Sequence, residues 1–377
     1  MKILYISQYI YPYTICGVGI HIQEMARNIR AIESSTEIVV IGNVDHQDKK
    51  IEQIVEGIKI RGYSPLIKHI RIPKVGTLLD GGLSFKPFFM MKEENPDIVH
   101  FHSYAGSWLG LLGLIYCKVF KKKMFFTPHY HDIRLYRFHP LFYINKLIAK
   151  SCDMVIVVTK TEKEKMMRLF NIPGSKIEVI YNGLSEDILD QNCKREKFIL
   201  YVGRGIEERK GVGRSLKLFL DLRREGILND EWKFVAAGDG VNSDKYQEMV
   251  NKEYEKDVCL MGLVSRKKLI DLYRTCYMLI LPSDYEAFGI VLIEAMACRK
   301  PVVAFNVGGV SEAIINNKTG YAVCDMKEMK AKVKDLVSNE RLAVKMGEAG
   351  YEHVKDKFLW SKSAKKQYQC YEKVLGR

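Results

Sequence analysis

Two carboxylates, Glu286 and Glu294, lie in the run Asp284-Tyr285-Glu286-Ala287-Phe288-Gly289-Ile290-Val291-Leu292-Ile293-Glu294-Ala295. The apolar stretch Met278-Leu279-Ile280-Leu281 before them stops at Pro282-Ser283, as a buried strand does. After Gly289, apolar residues recur at helical spacing, with Ile290, Ile293 and Ala297 on one face. The backbone N–H groups of Phe288, Gly289 and Ile290 would then project from a helix start, and such a terminus binds phosphate. One carboxylate sits in the loop before this anion site; the other sits one turn inside the helix. A sugar diphosphate needs both kinds of partner, N–H donors for phosphate and carboxylates for hydroxyls. Spacing alone says little, because paired glutamates are most often a solvated helix face. The embedding between an apolar strand and a Phe-Gly helix start is what makes this pair informative.

Three further groups could do chemistry. Gly203-Arg204-Gly205, followed by Arg209-Lys210-Gly211, puts cations in one glycine-bounded loop, able to neutralise a diphosphate. The bland alternative is a solvated basic turn. Cys16-Gly17-Val18-Gly19 lies in the first strand-to-helix loop, where Gly17 would let backbone approach a phosphate. It lacks the third glycine of a dinucleotide fingerprint. His100, His102, His129 and His131 fall near the C-terminal ends of predicted strands, the edge that faces the ligand crevice in open α/β sheets. A lone histidine there is usually a satisfied core residue, but four at one edge argue for a role for at least one.

The glutamate segment resembles that of the retaining glycosyltransferases of family 4 (group 1), which have the GT-B fold. Their motif S-x-x-E-x-F-G-x-x-x-x-E-A-M-A reads here Ser283 to Gly289, then Glu294-Ala295-Met296-Ala297. The likeness continues through Pro301-Val302-Val303-Ala304, Val307-Gly308-Gly309-Val310-Ser311-Glu312 and Lys318-Thr319-Gly320-Tyr321. Upstream it takes in Tyr201-Val202-Gly203-Arg204 and Gly238-Asp239-Gly240, and weaker matches reach the N-terminus. The resemblance implies sugar transfer from a nucleotide-sugar with retention, without cofactor or metal. Arg204 and a lysine would clamp the diphosphate. The loop is one residue longer than the common pattern, so Lys210 or Arg209 fills the lysine role; Lys210 is favoured because it precedes the glycine. Ala287, Phe288, Gly289 and Ile290 would bind donor phosphate, and Glu294 the ribose. Glu286 would orient the sugar. Thr127-Pro128-His129 matches the family's T-x-H, whose histidine faces the transferred sugar; His102 ranks next, His131 and Asp132 compete, and His100 reads as structural. Cys16 stands where the family usually has glycine.

The chain of 377 residues, 47% hydrophobic, can fill two domain cores. Strand signals at Ile3–Ser7, Glu37–Ile41, Asp97–His102, Lys123–Thr127, Met154–Val158 and Ile177–Ile180 form a first set, with helices at about 20–31, 105–120 and 160–170 between some of them. A second set runs through Phe198–Val202, Trp232–Ala237, Val258–Met261, Met278–Leu281 and Pro301–Phe305. The expected fold is α/β: two Rossmann-like doubly wound parallel-sheet domains facing across a cleft. Their bounds are 1–182 for the acceptor domain and 195–359 for the donor domain. By resemblance the last helix, 360–377, packs back on the first domain.

Net charge is +14 and leans N-terminal: residues 1–180 hold 25 Lys+Arg against 16 Asp+Glu. This fits an anionic partner. Two basic-aromatic segments, 67–74 and 134–143, suit an anionic lipid surface, single-stranded nucleic acid or a solvated face, and no nucleic-acid motif accompanies them. Nine scattered cysteines without C-x-x-C suit thiols in a reducing cytosol, and nothing resembles a zinc site. The start reads as no signal peptide, and the uncharged run Ser103 to Cys117 falls short of the ~20 residues of a membrane span. A cytoplasmic enzyme is expected, with the inner face of a membrane as a second location. The expected partners are a nucleotide-sugar (UDP-sugar first, GDP-sugar second), a glycan or lipid-linked acceptor, and a candidate anionic membrane surface. The rival readings are another GT-B activity, an epimerase or phosphorylase, and a nucleotide-binding partner subunit without catalysis.

Overall fold

The computed structural model describes residues 1–8, 10–12, 17–44, 51–64, 70–72, 76–79, 84–102, 108–129, 140–189, 194–250 and 252–377. The chain divides into two compact units. The first holds Met1–Asn182 with Trp360–Arg377, and the second Gly183–Leu359.

In the first unit, β1 (Lys2–Ser7), β2 (Glu37–Asn43), β3 (Ile51–Val55), β4 (Ile58–Tyr63), β5 (Ile70–Ile72), β6 (Gly76–Leu79), β7 (Ile98–His102), β8 (Lys123–Thr127), β9 (Met154–Val157) and β10 (Ile177–Val179) follow in chain order. Eight of them form one sheet, ordered β10-β9-β8-β7-β1-β2-β4-β3; β5 and β6 pair separately. The large sheet is parallel except for β3, which joins β4 as a hairpin. β3 and β4 were absent from the sequence-based expectation. Their turn is Glu56-Gly57, both with positive φ (50° and 76°), the geometry of a tight two-residue hairpin.

The parallel strands are buried on both faces, which explains their continuous apolar runs. One face carries the helices Gly17–Ile32 and Trp360–Leu375, with Met25, Ile29 and Tyr371 in the core. A buried polar chain fixes the last helix there. Gln367 Nε2 and the Tyr371 hydroxyl both bond the Tyr5 hydroxyl, at 3.0 and 3.2 Å, and Tyr371 also meets His100 Nδ1 at 2.6 Å. The other face carries the helices Lys86–Glu94, Trp108–Val119 and Pro140–Ser151. Gly110 and Gly113 let the middle helix lie close: an added Cβ would come within 2.3 Å of Phe101 and 2.6 Å of Ile6.

One expectation is corrected here. Phe142 was placed among interfacial aromatics, yet it is 7% exposed and packs edge-on against Phe170 at 5.0 Å. Its helical register with buried Asn145 and Ile148 turns it inward. The basic-aromatic residues Lys68, Lys74, Arg134, Tyr136, Arg137 and Phe138 lie outside the described residues.

The second unit has one parallel sheet, ordered β13-β12-β11-β14-β15-β16. Its strands are β11 (Phe198–Val202), β12 (Lys233–Ala237), β13 (Val258–Leu260), β14 (Met278–Leu281), β15 (Val302–Phe305) and β16 (Tyr321–Val323). Both units are doubly wound α/β layers. Among the described residues no helix is long and apolar enough to cross a membrane.

Candidate active site

In the second sheet the strand order reverses between neighbours β11 and β14, the place where open parallel sheets form their ligand crevice. The basic loop leaves β11 there, and the glutamate loop leaves β14. The two are tied together. Lys210 Nζ donates to Glu286 Oε1 at 2.8 Å and to the Tyr285 carbonyl at 3.2 Å. Both charged side chains are mostly buried, 15% and 14% exposed. The Asp284 N–H donates to the Arg209 carbonyl at 2.8 Å, and Arg214 donates to the Pro282 carbonyl at 2.7 Å.

Two glycines make the close approach feasible. Gly211 has φ +86°, and a Cβ there would lie 2.1 Å from the Pro282 carbonyl oxygen. Gly308 has φ +55°, and its Cβ would lie 1.7 Å from the Glu286 carbonyl oxygen. The next residue, Gly309, donates its N–H to that same oxygen at 3.2 Å. The Gly-Gly loop after β15 thus holds the backbone of Glu286 from behind.

Arg204 stands apart. Its side chain is 55% exposed and pairs with Glu207 at 2.7 Å. Burial alone would raise the Glu207 carboxyl, but the hydrogen bond from Arg209 and the charge of Arg204 hold it below its ordinary value. An exposed pair of this kind contributes at most about 1 kcal/mol, so Arg204 can be redirected to a stronger anion at little cost.

Gly289, with φ +85°, precedes the helix Ile290–Ala297, and no side chain caps it. Phe288 anchors the turn by burial against Phe358 at 5.3 Å, which leaves its backbone, not its ring, for any ligand. Ala287 is partly exposed beside it. Glu294 is 6% exposed. Its Oε2 accepts from the Tyr273 hydroxyl at 2.6 Å, and Arg266 pairs with Oε1. Burial, then the Glu294 charge, pushes the Tyr273 phenol well above its usual range. Arg266 and Tyr273 were not singled out from sequence. Their i, i+7 spacing on the helix Arg266–Thr275 was the available signal, since it puts both on one face.

In the first unit the order reverses between β1 and β7. His102 ends β7, His21 lies on the helix after β1, and His129 follows β8 with φ +47°. Their rings form a triangle with centroids 5.0 to 5.4 Å apart. His102 Nδ1 and His129 Nε2 share a hydrogen bond of 2.9 Å, and His21 Nδ1 meets Asn182 Oδ1 at 2.9 Å. Burial holds His21 down at about 4 against the opposing Asn182 hydrogen bond, and burial also holds His102 well below its ordinary value. Both are neutral near pH 7. Among the described residues these three are the group whose placement could hold a metal ion, and an all-imidazole set suits a zinc-class cation. His21 and Asn182 were not foreseen, because their partners are distant in sequence. His100 has both ring nitrogens bonded, to Tyr371 and to Thr127 Oγ1 at 2.8 Å. Gly17 opens the helix after β1, and nothing lies within 4 Å of where its Cβ would be. Cys16, His131 and Asp132 lie outside the described residues.

Residues 187–353 match the family model described as Glycosyl transferases group 1, and residues 15–187 that of Glycosyltransferase Family 4. The chain belongs to the group 1 glycosyltransferases. This glycosyltransferase is 29% identical over 380 residues to an uncharacterized glycosyltransferase of Methanocaldococcus jannaschii, covering 99% of each chain. Sucrose-phosphate synthase from Thermosynechococcus elongatus matches it with a TM-score of 0.76 at 20% identity, over 100% of this chain and 99% of that one. Anabaena HepE, solved in complex with UDP, matches with a TM-score of 0.74 at 14% identity, over 99% and 100%. These likenesses establish the GT-B fold.

Proposed function

We propose that this glycosyltransferase moves a sugar from a nucleoside diphosphate sugar to a glycan or lipid-linked acceptor, with retention and without a metal. The observation that carries this is the Lys210–Glu286 pair, formed where the strand order reverses and beside an uncapped helix start. As the diphosphate leaves, negative charge grows on its oxygens. Lys210, Arg204 and the amides of Gly289 and Ile290 are fixed positive groups for that charge. Fixed dipoles and cations aimed at developing charge are the largest single source of catalysis, and they take the place of a metal ion. Glu286, held by Lys210, orients the sugar through its hydroxyls. Glu294, held by Tyr273 and Arg266, keeps its remaining lone pairs for the ribose. His129 is the second catalytic candidate, for the transferred sugar, and Gly17 a donor-binding position. UDP is the first choice of carrier, which the UDP complex of Anabaena HepE supports, and GDP the second. The test is a panel of UDP- and GDP-sugars, read by released nucleoside diphosphate, with the anomeric configuration of the product read by NMR. Release from at least one donor and a product of the donor's own configuration are expected. An inverted product contradicts the mechanism, and nucleotide affinity without turnover contradicts the activity.

A further inference from the structure

The helices Lys86–Glu94, Trp108–Val119 and Pro140–Ser151 turn Met91, Leu112 and Ile148 into one shared core. Their outward sides are not ordinary solvated faces. Phe85 and Phe89 are 58% and 59% exposed, Ile115 43%, Val119 61%, Tyr143 62% and Leu147 50%. A single exposed apolar residue needs no explanation. Six on three neighbouring helices of one face make a patch on the order of several hundred Å², the scale at which an apolar surface marks an interaction site. Ring contacts join the part on the first two helices: Phe85 on Trp108 at 5.3 Å, and Phe88 on Phe89 and Phe120 at 6.0 and 6.3 Å.

Among the described residues the charge on this face is uncompensated. Lys86, Lys92, Lys118, Lys121, Lys122 and Lys146 have no carboxylate partner among the described residues. Elsewhere in the same unit lysines are paired, as Lys2 and Lys59 are with Glu94 and Lys123 is with Asp153. The only acidic residues of the three helices are Glu93 and Glu94, and both are held by Arg61. Apolar side chains interleaved with free cations, on helices that do not span, are what an anionic bilayer surface binds.

We propose that this three-helix face rests on an anionic lipid bilayer, with Phe85, Phe89, Val119 and Tyr143 among the headgroups and the lysines on lipid phosphates. A smeared negative surface matches cations spread over three helices, whereas a protein partner would be met by discrete ion pairs and a nucleic acid would leave the apolar side chains uncovered. Trp108 opens the helix that follows β7, so the Phe85–Trp108 end of the face lies toward the strand ends that carry His102. Of the segments first suspected from sequence, 67–74 and 134–143, the described residue Tyr143 belongs to this face.

The test is co-sedimentation of the purified full chain with phosphatidylcholine vesicles, with and without phosphatidylglycerol, at low and high salt. Two triple variants accompany the wild type: Phe85→Ser with Phe89→Ser and Val119→Ser, and Lys118→Gln with Lys121→Gln and Lys122→Gln. Five of the six positions are exposed and Lys122 is half-buried, and thermal melts check that each variant folds. Wild type should partition onto anionic vesicles at low salt and not onto neutral ones. The lysine variant should lose about fivefold per charge removed, and the apolar variant at least tenfold. Equal and negligible binding to both vesicle types overturns the proposal, as does binding that neither variant weakens. Light scattering that shows a wild-type dimer broken by Phe89→Ser, with no vesicle binding, overturns it too and assigns the face to a second copy. No catalytic turnover enters these readouts, so failure here is distinct from failure of the proposed reaction.

Discussion

Replacing Lys210 with Met keeps the aliphatic stem and removes one charge from a mostly buried ion pair. At 2.8 Å and an effective dielectric of about 20, the gross attraction to Glu286 is about 6 kcal/mol. The variant leaves Glu286 mostly buried without its counter-charge, and the solvent that still reaches it limits the net loss of stability to about 3 kcal/mol. That lowers the melting temperature by several degrees and leaves the fold intact. The catalytic loss should be at least as large. Removing one fixed donor from a developing anion costs about 3–4 kcal/mol, a factor of 10²–10³ in turnover. Because the charge develops mainly at the transition state, kcat should fall far more than KM rises. The assay is initial-rate release of nucleoside diphosphate across donor concentrations, beside a thermal melt. Glu286→Gln and the double variant complete a cycle, and the two losses should overlap rather than add, because each residue positions the other. Turnover within threefold of wild type for folded Lys210→Met would refute the reasoning.

Arg204→Ala should leave the melting temperature within about a degree, since its charged partner among the described residues is Glu207 in an exposed pair, while turnover drops at least a hundredfold; an unchanged rate removes Arg204 from the clamp. Transfer should persist in EDTA, because fixed cations serve the diphosphate, and a strict Mg²⁺ or Mn²⁺ requirement would contradict the site. Burial works to raise the Glu94 carboxyl, but hydrogen bonds and charge from Lys2 and Lys59 bring it from 4.5 to about 2. Its stabilisation is therefore present above pH 4.5 and lost as pH falls toward 2. Glu94→Gln should cost about 2 kcal/mol at neutral pH, allowing for the half-exposed lysines, and a chemical-denaturation series should show that deficit vanish by the acid end of the window. A deficit that stays constant with pH counts against the pairing.

What could be read from the sequence was local. The strand-turn-helix around Glu286 and Glu294 carried its own punctuation in Pro282, Ser283 and Gly289, and the structure places β14 and the helix Ile290–Ala297 on either side. What was missed depends on partners far along the chain. Nothing in the sequence shows that Lys210 lies 2.8 Å from Glu286, or that Arg266 and Tyr273 enclose Glu294. The triangle of His21, His102 and His129 needs β1, β7 and β8 to be neighbours, which only the sheet order supplies. β3 and β4 escaped because Glu56-Gly57 lacks the Asn or Asp that usually flags a two-residue hairpin, although the glycine was present. Phe142 was misread by composition, since counting basic and aromatic residues over 134–143 ignored the helical register that buries it. β16, a Tyr-Ala-Val run followed at once by Cys324-Asp325, was also missed.

The central claim is that the donor sits where β11 and β14 release their loops. A crystal structure with UDP bound tests it most directly. Diphosphate oxygens should lie within hydrogen-bond distance of Lys210 Nζ and of the Gly289 and Ile290 amides, Arg204 should have left Glu207 for the phosphate, and the ribose hydroxyls should reach Glu294. UDP bound elsewhere, with the Lys210–Glu286 and Arg204–Glu207 pairs undisturbed and the helix start unengaged, would contradict it.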